Sequence, residues 1–280
     1  MCFYFGLAFF AVGEKELKVA VAGKGGVGKT LIAGTLSRFL ARDKYRVLAI
    51  DADPAMNLAY ALGIPLDAVS KIVPLAENEE LVKERTGVKP GTGFGAFFSL
   101  TPTVDDIAEK YGITGPDDVK LLIMGTVRSG GSGCMCPANA LIRALIRHVT
   151  LERKDAVIMD MEAGLEHLGR ATVRGFNFLL CVVEPGAQSM ETAMKIKRLA
   201  SDIGVKEVLA VGNKATSQED RKFIEQSSEE ADLELACIIP FDQAILRADT
   251  LRMAPIDYSP KSPAITAIKE LEETLKENIG

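Results

Sequence analysis

Eight consecutive residues, Gly23 to Thr30 (GKGGVGKT), fill every fixed position of the Gly-x-x-x-x-Gly-Lys-Thr template. Gly23, Gly25, Gly26 and Gly28 let the backbone around Val27 wrap a polyphosphate with its N–H groups turned inward, and a helix starting there adds its positive end. Lys29 can then neutralise the β and γ oxygens of a nucleoside triphosphate, while the Thr30 hydroxyl suits Mg²⁺. Lys24, directly after the first glycine, brings a second ammonium to the same phosphates, where two cations stabilise transferring charge better than one.

Two carboxylate motifs supply what a phosphate loop lacks. Asp51 and Asp53 follow the apolar run Arg46 to Ile50, and Asp160 follows Ala156 to Met159. In an open parallel sheet ligands bind beyond the carboxyl ends of strands. Asp160 is therefore expected to hold the Mg²⁺ water shell and Asp53 to orient or deprotonate an attacking water, with Asp51 as a further Mg²⁺ candidate. A single Asp at a strand end is as readily a helix cap. Two of them beside a phosphate loop point instead to phosphoryl transfer.

The five cysteines divide by context. Cys181 (FLLCVV) and Cys237 (LACII) read as core residues, and Cys2 lies in an apolar leading segment. Cys134 and Cys136, in Gly133-Cys134-Met135-Cys136-Pro137, sit at a helix start, where the dipole favours thiolate over thiol. A Cys-x-Cys pair binds soft metals, but Zn²⁺ or square-planar Ni²⁺ needs about four ligands and this segment offers two. His148 and His167 stand apart and form no chelating pair. Two chains related by a twofold axis would supply four sulfurs. The alternative is a redox-active or incidental pair.

The elements that must position these groups alternate in type. Continuous apolar runs at Leu17 to Ala22, Arg46 to Ile50, Val119 to Met124, Ala156 to Met159, Phe178 to Val183, Val208 to Val211 and Leu235 to Ile239 read as strands buried on both faces. Segments at Lys29 to Asp43, Pro137 to Val149, Gln188 to Ile203, Glu219 to Ala231 and Ser262 to Asn278 read as covering helices. The expected fold is α/β, a doubly wound, mostly parallel sheet flanked by helices, forming one domain over residues 17–280 with 1–16 as an N-terminal extension. Gly87 to Thr103 reads as a glycine-rich surface excursion.

Composition limits the partners. With 33 basic and 38 acidic side chains the net charge is -5, so no basic excess drives general binding to nucleic acid or anionic lipid. Five cysteines in 280 residues do not make a disulfide scaffold, and a reducing cytoplasm is the expected location. The apolar run from Met1 to Val12 falls short of the roughly 20 residues a membrane span needs, and no Lys or Arg precedes Lys15.

The loop GKGGVGKT resembles the deviant phosphate loop of the MinD, ParA and nitrogenase-iron-protein group of ATPases. That resemblance implies an ATP-dependent homodimer in which Lys24 reaches the nucleotide of the partner subunit, with Asp53 in the first switch and Asp160 opening the second. It further implies adenine recognition by Asn213 and Lys214 and a base pocket lined at Pro240. Gly133 to Leu141 together with Asp160 to Arg170 resembles the carbon monoxide dehydrogenase maturation ATPases of the CooC type, and the likeness runs from Leu17 nearly to the end. It implies nickel insertion into apo carbon monoxide dehydrogenase by a dimer that holds Ni²⁺, or Zn²⁺ in its place, through Cys134 and Cys136. Met161 departs from the threonine common in that second switch. Two alternatives stand beside this reading, a MinD- or ParA-type spatial regulator and an iron–sulfur carrier resembling the nitrogenase iron protein. The last helix carries Lys269 and Lys276 against Glu270, Glu272, Glu273 and Glu277, which anionic lipid would repel, so no stable membrane association is expected.

Overall fold

The structure, a computed structural model, describes residues 16–53, 55–89, 99–100, 102–104, 106–125, 136–148, 154–162, 175–203, 205 and 207–279. For Leu66, Cys136, Pro137, Asn139, Arg147, His148, Asp202 and Ile203 it describes the backbone alone.

The strands are β1 (Leu17–Gly23), β2 (Arg46–Ala52), β3 (Ile113–Thr114), β4 (Lys120–Ile123), β5 (Asp155–Met161), β6 (Phe178–Val183), β7 (Glu207–Ala215) and β8 (Glu234–Pro240). They form one sheet in the order β3-β4-β2-β5-β1-β6-β7-β8. Every pairing is parallel except β3 with β4. The helices are α1 (Lys29–Arg42), α2 (Leu58–Leu62), α3 (Leu66–Val69), α4 (Glu79–Thr86), α5 (Ile107–Tyr111), α6 (Cys136–His148), α7 (Ala187–Ile203), α8 (Gln218–Glu230), α9 (Gln243–Thr250), α10 (Pro255–Tyr258) and α11 (Pro263–Glu277).

Strand periodicity sorts the core into two layers. On β1, Leu17, Val19 and Val21 pack with Leu36 and Leu40 of α1 and Ile268 and Leu271 of α11. Ala20 and Ala22 face the other way, onto Leu141 and Leu145 of α6 and Met190 and Ile196 of α7. Both faces are covered, which is why the strands read as unbroken apolar runs rather than alternating ones. Burying each such Leu or Ile contributes about 1.5–3 kcal/mol.

Two expectations need correction. Asp51 and Asp160 do not follow their strands; both lie within them, as Cα partners across β2 and β5, with Val21 of β1 opposite Asp160 on its other side. The ladder carries on past the apolar residues because a buried strand must pair its backbone whatever its side chains are. Asn213 and Lys214 likewise fall inside β7. Helices α2 to α5, α9 and α10 and the antiparallel edge strand β3 were also not anticipated, since elements of two to eight residues are too short to show a period.

Ion pairs fasten the flanks. Arg38 of α1, 3% exposed, donates to both carboxylate oxygens of Asp257 and also pairs with Asp117. Lys269 and Lys276 of α11 both bind Asp43 at the end of α1.

Candidate functional site

The phosphate loop connects β1 to α1 at the centre of the sheet, between β5 and β6. Gly23 has φ +149°, and a Cβ there would lie 2.4 Å from the Val182 carbonyl of β6. Gly28, at φ +102°, caps α1 without any side-chain hydrogen bond to the first turn, and that turn contains no acidic residue. The first N–H groups of α1 are therefore not claimed by a side-chain cap and carry the helix's positive end, which is what an anion requires.

Lys29 is 5% exposed, and its Nζ donates to the Lys24 carbonyl at 3.2 Å, so the ammonium is folded against the loop's own backbone. Lys24 Nζ donates to Gln188 Oε1 of α7 at 3.2 Å. Gly25 and Gly26 are exposed, and a Cβ on either would meet nothing within 4 Å.

Beside the loop lie the two paired carboxylates, each 0% exposed. Asp51 is satisfied: its Oδ1 accepts the Asp53 N–H at 3.2 Å and its Oδ2 the Leu58 N–H at 2.9 Å, which anchors the segment leading into α2. Neither oxygen of Asp160 has a hydrogen-bond partner of full geometry. Burial pushes the Asp160 carboxyl up to about 7, against the pull of the Thr30 hydroxyl and the Lys29 ammonium, with the Asp53 charge adding to the rise. Burial also pushes Asp51 up to about 7; the Leu58 N–H opposes this and the Asp160 charge reinforces it. Two unpaired buried oxygens beside a hydroxyl and an ammonium fit a hard divalent cation brought in with a polyphosphate. Thr30 and Asp160 would hold Mg²⁺, whereas the lone pairs of Asp51 already serve the backbone.

Asp53 Oδ1 accepts the Ala55 N–H at 2.8 Å, so its carboxylate is turned into its own loop. Asn213, 3% exposed, spends its amide locally: Nδ2 donates to the Val27 carbonyl at 2.7 Å and Oδ1 accepts the Lys214 N–H. Lys214 Nζ reaches the Gly26 carbonyl at 2.6 Å and Glu184 at 3.2 Å. Beyond these residues a cleft of about 380 Å³ is lined by Ala215, Thr216, Ser217, Arg221, Pro240 and Phe241. Pro240 thus lines a recess where β7 and β8 end.

Sequence reasoning passed over Glu184 and Gln188. Both follow β6, the strand on the far side of the loop, and the strand-end rule that singled out Asp53 would have marked them too. Cys134 lies outside the described residues, as do 163–170 of the second-switch motif and 1–15 of the extension. Cys136 begins α6. Among the described residues no group of three or more His, Cys, Asp or Glu is placed to hold a metal ion.

Residues 18–256 match the family model of the CobQ/CobB/MinD/ParA nucleotide binding domain. The chain is 46% identical over 244 residues to the carbon monoxide dehydrogenase accessory protein CooC of Rhodospirillum rubrum, covering 87% of this chain and 91% of that one. It is 40% identical over 257 residues to an ATP-binding protein of Methanocaldococcus jannaschii, covering 92% and 95%. Among solved structures, the cell division ATPase MinD of Pyrococcus furiosus superposes with a TM-score of 0.68 at 22% identity, covering 93% of this chain and 98% of that chain. MinD of Pyrococcus horikoshii, complexed with Mg-ADP, gives 0.67 at 19%, covering 92% and 95%. At these identities the structural likeness is one of fold.

Proposed function

The chain belongs to the CobQ/CobB/MinD/ParA nucleotide-binding family and is an ATPase of that family, and from this premise we propose that it is the ATP-driven, nickel-loading accessory protein of a carbon monoxide dehydrogenase. The observation that carries the hydrolytic part is Asp160, fully buried with both oxygens unpaired next to Thr30 and Lys29. Thr30 and Asp160 would hold Mg²⁺ arriving with the nucleotide, and the ion would supply positive charge to the phosphates there. Lys29 leaves the Lys24 carbonyl for the phosphate oxygens, and the N–H groups of the loop and of the start of α1 bind the rest. Asp53 turns out of its contact with Ala55 to orient the attacking water.

The client is inferred from the high identity to the CooC accessory protein over most of the chain, together with the Cys134-x-Cys136 pair. Lys24, held in a single chain by Gln188, exchanges that contact for the nucleotide of a second copy. The closed dimer then brings Cys134 and Cys136 of both copies to one axis, where four thiolates bind Ni²⁺ as cargo. ATP drives closure because the closed state binds it more tightly, and hydrolysis removes that bias. Membrane attachment through the last helix is disfavoured: Ile265, Ile268, Leu271 and Leu275 of α11 are fully buried, and no helix among the described residues is long and apolar enough to cross a membrane.

Native mass measurement with and without ATP and Ni²⁺ tests the proposal. A dimer carrying one Ni²⁺ in the presence of ATP is expected. A monomer that binds ATP and no metal would remove the nickel-loading reading.

A further inference from the structure

Glycine in a helix interior is less favourable than alanine, so one that stands there needs a reason. Gly34 is buried inside α1, five residues after Lys29. A Cβ at position 34 would stand 2.5 Å from the Ala61 Cβ and 3.0 Å from the Ala61 carbonyl carbon. Carbon atoms in good contact lie about 3.5–4.0 Å apart. The missing methyl of Gly34 is therefore the space in which α2 lies against α1.

The same short helix is pinned at both ends. Its first N–H, that of Leu58, is accepted by Asp51 Oδ2 at 2.9 Å, in place of the cap that the Asn57 side chain does not supply. At the far end the Leu62 carbonyl accepts Arg38 Nη1 at 2.8 Å. Arg38 stands one turn after Gly34, so a single face of α1 makes both contacts with α2. Asp51 then passes the position of α2 to Asp53. Its Oδ1 accepts the Asp53 N–H while its Oδ2 accepts that of Leu58, so one buried carboxylate bridges both ends of the segment between them. Within that segment the Met56 N–H returns to the Asp53 carbonyl at 3.0 Å, closing a turn with Met56 at φ +52°.

We propose that Gly34 and Ala61 are positioning residues for hydrolysis: their contact sets where α2 sits, and the seated α2 sets where Asp53 stands relative to the phosphates. The proposal rests on the reading of Asp53 as the group that orients the attacking water, and adds the contact that places it. One rigid helix, α1, thus carries the phosphate lysine at its start and the seat of the first-switch segment just beyond.

The experiment measures Mg-ATP hydrolysis by the parent, by Gly34→Ala, and by Gly34→Ala combined with Ala61→Gly. In the single variant α2 must retreat by about 1 Å to regain ordinary contact, enough to take the Leu58–Asp51 contact out of hydrogen-bond range. A misplacement of that size costs up to about 10²-fold in rate, so kcat should fall about 10- to 100-fold while KM for ATP stays within about twofold. Moving the methyl from position 61 to position 34 removes the clash between the two Cβ atoms, and kcat should return to within about threefold of the parent. A parent-like kcat in Gly34→Ala, a KM that rises as much as kcat falls, or a folded double variant as slow as the single one would each overturn the proposal. If Gly34→Ala does not fold, the double variant decides alone, by its kcat. Amide exchange at Leu58 in the ligand-free proteins gives a readout independent of activity. It should quicken in Gly34→Ala and return to the parent rate in the double variant, and a parent rate in the single variant would also overturn the proposal. If Asp53→Asn hydrolysed ATP at the parent rate, the reading of Asp53 would fall, and exchange at Leu58 would still decide how α2 is seated.

Discussion

Asp51 and Asp160 are Cα partners on adjacent parallel strands, both at 0% exposure, yet both oxygens of Asp51 accept backbone N–H groups while those of Asp160 have no hydrogen bond of full geometry, only the Thr30 hydroxyl and Lys29 ammonium nearby. Asp51 shapes the segment that begins at Asp53, and Asp160 keeps its charge in reserve for a cation. Identical side chains at equivalent register positions are thus given different work by what surrounds them.

The cost of Asp160 is measurable. Its folded-state pKa, about 7, lies above the ordinary 3.8, so the folded protein holds this proton more tightly than the unfolded chain. Stability of the Mg²⁺-free, nucleotide-free protein should accordingly fall as pH rises from about 4 through 7, and Asp160→Asn should reduce that slope, leaving the share of Asp51, and stabilise the protein by a few kcal/mol at pH 8. Thermal unfolding at pH 5.5 and 8 checks this, with ATP hydrolysis by the variant expected to be lost. A variant no more stable than the parent at pH 8 would contradict the unpaired carboxylate.

Lys29→Met should lower ATP hydrolysis by about 10²–10³-fold, the usual effect of removing one preorganised charge from developing phosphate charge. Steady-state phosphate release measures it, and circular dichroism checks that the fold persists.

Lys24→Gln separates binding from assembly. ATP affinity in dilute solution should stay within about fivefold of the parent, because one partly exposed cation contributes about 1 kcal/mol or less. ATP-dependent dimerisation and hydrolysis should both be lost. Light scattering after size-exclusion chromatography, with and without ATP, reports the first.

The double variant Cys134→Ala, Cys136→Ala should bind ATP normally and fail to retain Ni²⁺ in equilibrium dialysis. Nickel binding at parent level would place the metal elsewhere.

Asp117 tests the flank. The Arg38 and Arg42 guanidiniums hold its carboxyl below 3.8 despite the opposing effect of burial. A depressed carboxyl contributes stability above the unfolded value and loses it as pH falls through the folded one. Asp117→Asn should therefore cost about 1–3 kcal/mol at pH 7 and progressively less as pH falls below 3.8. Urea unfolding at pH 7 and pH 3 gives the two numbers.

Much of the element order was legible because it rests on local pattern. The apolar runs of β1, β2 and β6 and the amphipathic stripes of α1, α7 and α11 announce themselves within a dozen residues. The short helices α2 to α5, α9 and α10 did not, since a helix of four to eight residues completes too few turns to show its period.

Sequence alone determined that this protein carries a phosphate loop at a strand-to-helix junction, a second lysine within it, carboxylates near two strand ends and one closely spaced cysteine pair. All of these are contiguous patterns whose chemistry follows from residue type and spacing. Tertiary structure decided the rest. Setting β1 between β5 and β6 brings Asp160 beside Thr30, burial strips that carboxylate of partners, and a bulge in β7 commits Asn213 to the Val27 carbonyl. The reason is physical: what a polar side chain does is set by the donors, acceptors and water within about 3 Å of it, and strand order and register determine which those are.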